Sequence, residues 1–121
     1  MNKLILLADD DSEIRKFIQQ SLELNNFDVL YAVDGSEALR ILRTISVDLV
    51  ITDILMPKKG GIELANEIRK SFPTVKTIGI TGADLETIVD EQSLDEIFHG
   101  FLQKPFNMDD LLNKVNEFIG K

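Results

Sequence analysis

Short apolar runs alternate with amphipathic stretches along the whole chain, and that alternation restricts the fold more than any other feature. Lys3–Ala8 is nearly continuous in apolar character and reads as a buried strand. A helix follows from about Ser12 to Asn25, with Ile14, Phe17, Ile18 and Leu22 on one stripe. Asp28–Ala32 is a weaker strand, and Asp34-Gly35 turns into a helix carrying Ala38, Leu39, Ile41 and Leu42. Asp48–Thr52 (DLVIT) is a β-branched strand that ends on Asp53. Gly60-Gly61 opens a helix through Ser71, which Pro73 stops from continuing.

Val75–Ile80 is the next strand, and Asp84 or a neighbour caps a helix to about Phe98. Phe101–Gln103 is a last short strand. Asn107 then caps a final helix that turns Met108, Leu111, Leu112, Val115, Phe118 and Ile119 inward. Strands of continuous apolar character between helices imply an α/β fold, a five-stranded parallel sheet covered by helices on both faces. No repeat, low-complexity tract or linker divides the chain, so residues 1–121 are expected to form one domain with no output domain beside it.

Composition removes several classes. The chain has no cysteine, so disulfides and thiolate metal sites drop out. Its N-terminal apolar run is too short for a signal peptide, and no stretch approaches a membrane span, so a cytoplasmic protein without membrane contact is expected. Thirteen basic against 21 acidic residues give a net charge of −8, which argues against nucleic-acid binding by this domain. Between Thr77 and Gln103 there is no Lys or Arg, while Asp84, Glu86, Asp90, Glu91, Asp95 and Glu96 fall there. That run reads either as a solvated helix face or as a surface for a basic partner.

In open parallel sheets, ligands sit beyond the carboxyl ends of the strands. Asp9, Asp10 and Asp11 follow the first strand, Asp53 ends the third, Thr81 ends the fourth and Lys104 ends the fifth. Asp11 suits the cap of the first helix. Carboxylates about 4 Å apart repel by about 4 kcal/mol per pair at an effective dielectric near 20. Such a cluster either binds protons more tightly or takes a cation. An oxygen-only donor set with room for water suits Mg²⁺, and Mn²⁺ can replace it. A bound cation would neutralise an incoming phosphoryl group for attack by a carboxylate, with Lys104 and the Thr81 hydroxyl as donors to its oxygens.

The residues in LILLADDDSEIR (Leu4–Arg15), AVDGSEAL (Ala32–Leu39), DLVITDILMPKKGGIEL (Asp48–Leu64), IGITGAD (Ile78–Asp84) and GFLQKPF (Gly100–Phe106) together resemble the receiver domain of two-component response regulators. The likeness runs from about Lys3 to Ile119, and the family includes single-domain, chemotaxis-type members. It implies the flavodoxin-like (βα)5 fold with strand order 2-1-3-4-5. It also implies that Asp53 accepts a phosphoryl group and that Asp9, Asp10, Asp53 and the backbone carbonyl of Leu55 hold Mg²⁺. Thr81 and Lys104 would bind the phosphate, and Phe101 would follow Thr81 as the aromatic of the switch. The Lys104–Pro105 bond is expected to be cis.

By the same resemblance the phosphoryl donor is a histidine kinase or histidine phosphotransfer protein. It would dock a helix on Ile14, Arg15, Phe17 or Ile18 and the Pro105-Phe106 loop. The output would be binding to a downstream protein, with no turnover of a separate substrate. Some positions depart from the family pattern. Leu55 and Ala83 are apolar where such domains tune dephosphorylation, Gly82 replaces the usual alanine, and Phe98-His99-Gly100 replaces a small pair. His99, the sole histidine, is expected on a surface loop.

Three other readings compete: a receiver excised from a longer regulator, a Mg²⁺-dependent phosphatase or dehalogenase with an aspartate nucleophile, and a flavodoxin-type flavin module. The phosphatase would want a second aspartate where Leu55 stands. The flavin module would want a Ser/Thr/Gly-rich loop where ADDDSE stands.

Overall fold

The computed structural model of the chain describes residues 2–56, 58–82 and 96–120. Five strands, β1 (Leu4–Ala8), β2 (Asp28–Ala32), β3 (Leu49–Asp53), β4 (Lys76–Thr81) and β5 (Gly100–Gln103), form one sheet. All neighbours are parallel and the order is β2-β1-β3-β4-β5. Four helices are described: α1 (Ser12–Glu23), α2 (Gly35–Thr44), α3 (Gly61–Ser71) and α4 (Met108–Ile119). The helix expected between Asp84 and Phe98 and the position of Ala83 lie outside the described residues, as does most of the acidic run. Glu96 is exposed.

The continuous apolar runs are explained by burial on both sides. Ile5, Leu7, Leu49 and Ile51 turn to one face, where Ile18 and Leu22 of α1 and Leu111 and Val115 of α4 cover them. Leu6, Ala8 and Val50 turn to the other, under Ala38, Leu39 and Leu42 of α2 and Leu64 and Ile68 of α3. Each fully buried Leu or Ile contributes about 1.5–3 kcal/mol of transfer free energy, so these two faces dominate the stability. The weaker character of β2 follows from its place at the sheet edge, where Tyr31 is half exposed.

Capping fixes where the helices begin. Asp11 Oδ1 accepts the N–H groups of Glu13 and Ile14 at 2.9 and 3.3 Å, as expected of the α1 cap. Asp34 Oδ1 accepts from Glu37 N–H, and Asn107 and Asp110 form a reciprocal capping box for α4. In the turn that follows α1, Asn26 takes a left-handed φ of 69°, a conformation asparagine tolerates. α3 has no side-chain cap. A Cβ at its first residue, Gly61, would lie 2.3 Å from the Asp53 carbonyl oxygen and 2.8 Å from Ile54 Cα, so only glycine lets the helix start this close to β3.

Two expectations are corrected. Met108 is exposed rather than inward: it opens α4, one turn before the buried stripe begins at Leu111. His99 lies in the bend just before β5, as expected of a loop residue, but it is half-buried and tied down rather than free on the surface. Its Nδ1 accepts the Thr77 N–H at 3.0 Å, its own N–H returns to the Thr77 carbonyl at 3.0 Å, and its ring meets Phe118 edge-on at 6.2 Å. Burial, followed by the charges of Lys76 and Arg69, holds its pKa below the usual 6.5. This clamp joins the starts of β4 and β5, at the end of the sheet opposite the strand-end acids.

Candidate functional site

Strand order places the switch point between β1 and β3. The chain leaves β1 towards β2 on one side, and β3 takes up the other side. The carboxyl ends of these two strands carry Asp9 and Asp53. One ligand oxygen each from Asp9, Asp10 and Asp53 lie within 4.8 Å of one another. Three carboxylates from the ends of β1 and β3 thus come together.

Asp9 is fully buried and tightly restrained. Its N–H donates to the Ala32 carbonyl at 3.1 Å, and its Oδ1 accepts the Asp11 N–H at 2.9 Å. Its Oδ2 is buried with no hydrogen-bond partner among the described residues. Burial chiefly, then the charges of Asp53 and Asp10, push its pKa up to about 6, against the lowering effects of the Asp11 N–H and of Lys104. A buried, unpartnered carboxylate oxygen beside two further carboxylates fits a hard cation with oxygen ligands, and Mg²⁺ matches that donor set.

Asp53 lies at the rim with its side chain largely buried, and Oδ2 sits 3.4 Å from Lys104 Nζ. Lys104 follows β5 directly, and its N–H donates to the Thr81 carbonyl at 2.8 Å, so the β4–β5 ladder aims it at the acids. Its bond to Pro105 is cis. Leu55 donates its N–H to Asp53 Oδ1 at 3.3 Å while its side chain is 56% exposed beside the site.

Thr81 is on the same strand-end rim, one residue beyond Ile80, the register partner of Asp53. Its hydroxyl donates to the Leu102 carbonyl at 3.4 Å, towards β5 rather than into the carboxylate cluster. Phe101 is half-buried, with its ring against Phe98 at 5.7 Å. Gly82 is exposed, and a Cβ there would meet no described residue within 4 Å.

Beside the acids, Glu13, Ile14, Phe17, Lys104, Pro105 and Phe106 line an open, largely apolar groove of about 340 Å³. Phe17 and Phe106 face each other across it at 6.4 Å. Ile18 is not part of this surface: it is fully buried beneath α1, because it falls on the core side of the stripe that Phe17 borders. Arg15, also expected on this surface, is half-buried and is not among the residues that line the groove. Its Nη1 donates to the Asp9 carbonyl at 2.8 Å, and its guanidinium lies over the Tyr31 ring at 4.9 Å. Sequence reasoning missed this inward role, since a backbone carbonyl leaves no trace in a side-chain pattern.

Residues 5–116 match the family described as the response regulator receiver domain. The chain is 37% identical over 121 residues to the transcriptional regulatory protein CpxR of Klebsiella pneumoniae, covering 98% of this chain and 50% of that protein. It is 32% identical over 117 residues to the response regulator receiver protein CpdR of Brucella abortus, covering 97% of both chains. The structure of the response regulator TrrA from Thermotoga maritima, in complex with Mg²⁺ and BeF, superposes with a TM-score of 0.85 at 35% identity, covering 96% of this chain and 98% of that one. The chain thus spans about half the length of the CpxR proteins it matches and nearly all of CpdR.

Proposed function

This chain belongs to the response regulator receiver family, and we propose that it is a phosphorylation-activated switch whose Asp53 takes a phosphoryl group from a phosphohistidine. The observation that carries the reading is the meeting of Asp9, Asp10 and Asp53 oxygens within 4.8 Å, with Lys104 Nζ 3.4 Å from the Asp53 carboxylate. Asp9, Asp10 and Asp53, with the Leu55 carbonyl, would hold Mg²⁺, which when bound neutralises phosphoryl oxygens and so eases attack by an anion.

An Asp53 oxygen attacks phosphorus, forming an O–P bond as the P–N bond of the phosphohistidine breaks and its electron pair returns to the imidazole. Lys104 moves its ion pair from the Asp53 carboxylate to the phosphoryl oxygens. The phosphate adds about −1.5 to −2 charge and new acceptors, which draw the Thr81 hydroxyl off the Leu102 carbonyl. Phe101 follows into the space that shift opens, and the surface formed around β5 and α4 changes its preferred partner. Output is therefore contact with a downstream protein.

The kinase or phosphotransfer protein docks on the groove between α1 and the Pro105-Phe106 loop. Its apolar lining from Ile14, Phe17 and Phe106 lies next to Lys104, so a helix seated there would bring its phosphohistidine to Asp53. Leu55 leaves no polar side chain two residues past Asp53 to orient a hydrolytic water, which favours a long-lived phosphorylated form.

Incubation with acetyl phosphate tests the reading. The protein should gain one hydroxylamine-labile phosphoryl group with Mg²⁺ and none when Mg²⁺ is chelated. Steady hydrolysis of simple phosphate esters, with no stable labelling, would instead favour an aspartate-nucleophile phosphatase.

A further inference from the structure

Arg15 joins two features that the switch chemistry does not use. One is the carbonyl oxygen of Asp9, at the point where the chain turns out of β1. The other is Tyr31, the only tyrosine, half exposed on the edge strand β2. The Arg15 guanidinium occupies the space between them, with Nη1 2.8 Å from the Asp9 carbonyl oxygen and Cζ 4.9 Å from the centre of the Tyr31 ring. Leu7 of β1 is the register partner of Tyr31, so the ring stands on the face that α1 covers, next to the turn that follows β1.

That carbonyl belongs to the Asp9–Asp10 peptide. The Asp9 N–H is fixed by Ala32 and its Oδ1 by the Asp11 N–H, so the carbonyl is the remaining handle on the turn. The orientation of this peptide plane sets where Asp10 projects relative to the unpartnered Oδ2 of Asp9 and the carboxylate of Asp53. A guanidinium suits the position because it can lie flat on an aromatic ring while an edge N–H reaches a carbonyl, and a lysine ammonium cannot do both.

We propose that Arg15 is a positioning residue: held against Tyr31, it locks the Asp9–Asp10 peptide and thereby the geometry of the carboxylate cluster that receives the cation. The proposal rests on the metal-binding reading of that cluster. It assigns Arg15 to the interior of the site rather than to the docking groove, which Ile14, Phe17 and Phe106 line without it.

The experiment is calorimetric titration of Mg²⁺ into the purified full chain and its variants, each first shown by thermal melting to be folded. Arg15→Ala should weaken Mg²⁺ binding about tenfold, the usual scale for losing a group that orients metal ligands. Arg15→Lys should recover part of the loss. Tyr31→Phe, which keeps the ring face, should bind as wild type does, and Tyr31→Ala should weaken binding by less than Arg15→Ala. Because Tyr31 is half exposed, its substitution tests the stack even if Arg15→Ala fails to fold.

In acetyl phosphate labelling, Arg15→Ala should need more Mg²⁺ for its half-maximal rate, by about the same factor as its loss of Mg²⁺ affinity. Wild-type Mg²⁺ affinity in Arg15→Ala and Tyr31→Ala, with a defect only in transfer from a histidine kinase, would overturn the proposal and return Arg15 to docking. A wild-type protein that binds no Mg²⁺ would overturn the metal reading itself, and this proposal with it.

Discussion

Lys104, the first residue past β5, holds its Nζ 3.4 Å from Oδ2 of Asp53, the last residue of β3, across the end of β4. The pair is partly exposed, so its direct worth to stability is small, about 0–1 kcal/mol. Under the proposed function its role is to place a cation where phosphoryl charge would develop. Lys104→Met should therefore slow phosphorylation by acetyl phosphate by about tenfold to a hundredfold, with the thermal midpoint nearly unchanged. Stopped-time labelling at fixed Mg²⁺ measures this, and a wild-type rate would remove Lys104 from the chemistry.

Asp9 places a carboxylate oxygen in the interior with no partner, so the metal-free protein carries a destabilising charge. Its folded pKa of about 6 lies above the ordinary 3.8. The folded state thus holds a proton that the unfolded state has released, and stability falls as pH rises from about 4 to about 6. Asp9→Asn lacks that penalty. Without Mg²⁺, denaturant unfolding should show the variant matching wild type near pH 4 and exceeding it by about 1–3 kcal/mol at pH 7. Mg²⁺ should raise the stability of wild type, and barely affect the variant. A variant less stable than wild type at pH 7 without metal would contradict this account of Asp9.

His99 works at the other end of the sheet and with the opposite sign. Its folded pKa lies below 6.5, so as pH falls through about 6.5 the unfolded chain gains a proton that the folded clamp refuses. Stability is then lost towards acid pH. His99→Asn can still accept the Thr77 N–H through its side-chain oxygen but loses the contact with Phe118. It should be less stable than wild type at pH 8, and the gap should narrow by pH 5. Parallel pH profiles for the two proteins would show that the ring does not titrate against folding.

Gly61 sets the distance between α3 and the strand that carries Asp53. A Cβ there would meet the backbone of Asp53 and Ile54, which cannot rotate away as a side chain would. Gly61→Ala should cost about 1–3 kcal/mol in urea unfolding and lower the phosphorylation rate by displacing Asp53. An unchanged midpoint and rate would mean that the loop between β3 and α3 yields freely.

The parts of the fold that were legible in the sequence are those whose cause is side-chain chemistry. Leu4–Ala8 and Leu49–Asp53 read as buried strands because both of their faces are covered, and β2 read as weaker because an edge strand needs less apolar surface. Asp9, Asp10 and Asp53 stood out because carboxylates gathered at the ends of buried strands repel one another unless a proton or a cation joins them. The illegible parts depend on backbone partners. Arg15 read as a docking residue until the Asp9 carbonyl was seen beneath it, and His99 as a free surface residue until its bond to Thr77 was. Phe17 and Ile18 are adjacent on α1, and apolarity alone could not say which one faces the core.

The central claim is that Asp53, and no other carboxylate of the cluster, becomes phosphorylated. Its most direct measurement is peptide mapping by mass spectrometry after labelling with acetyl phosphate and Mg²⁺ and reductive trapping of the acyl phosphate. The trapped modification should fall on Asp53 alone, disappear in Asp53→Asn, and persist in Asp10→Asn once Mg²⁺ is raised. Modification of Asp9 or Asp10 in the wild-type protein, or labelling undiminished in Asp53→Asn, would contradict the account.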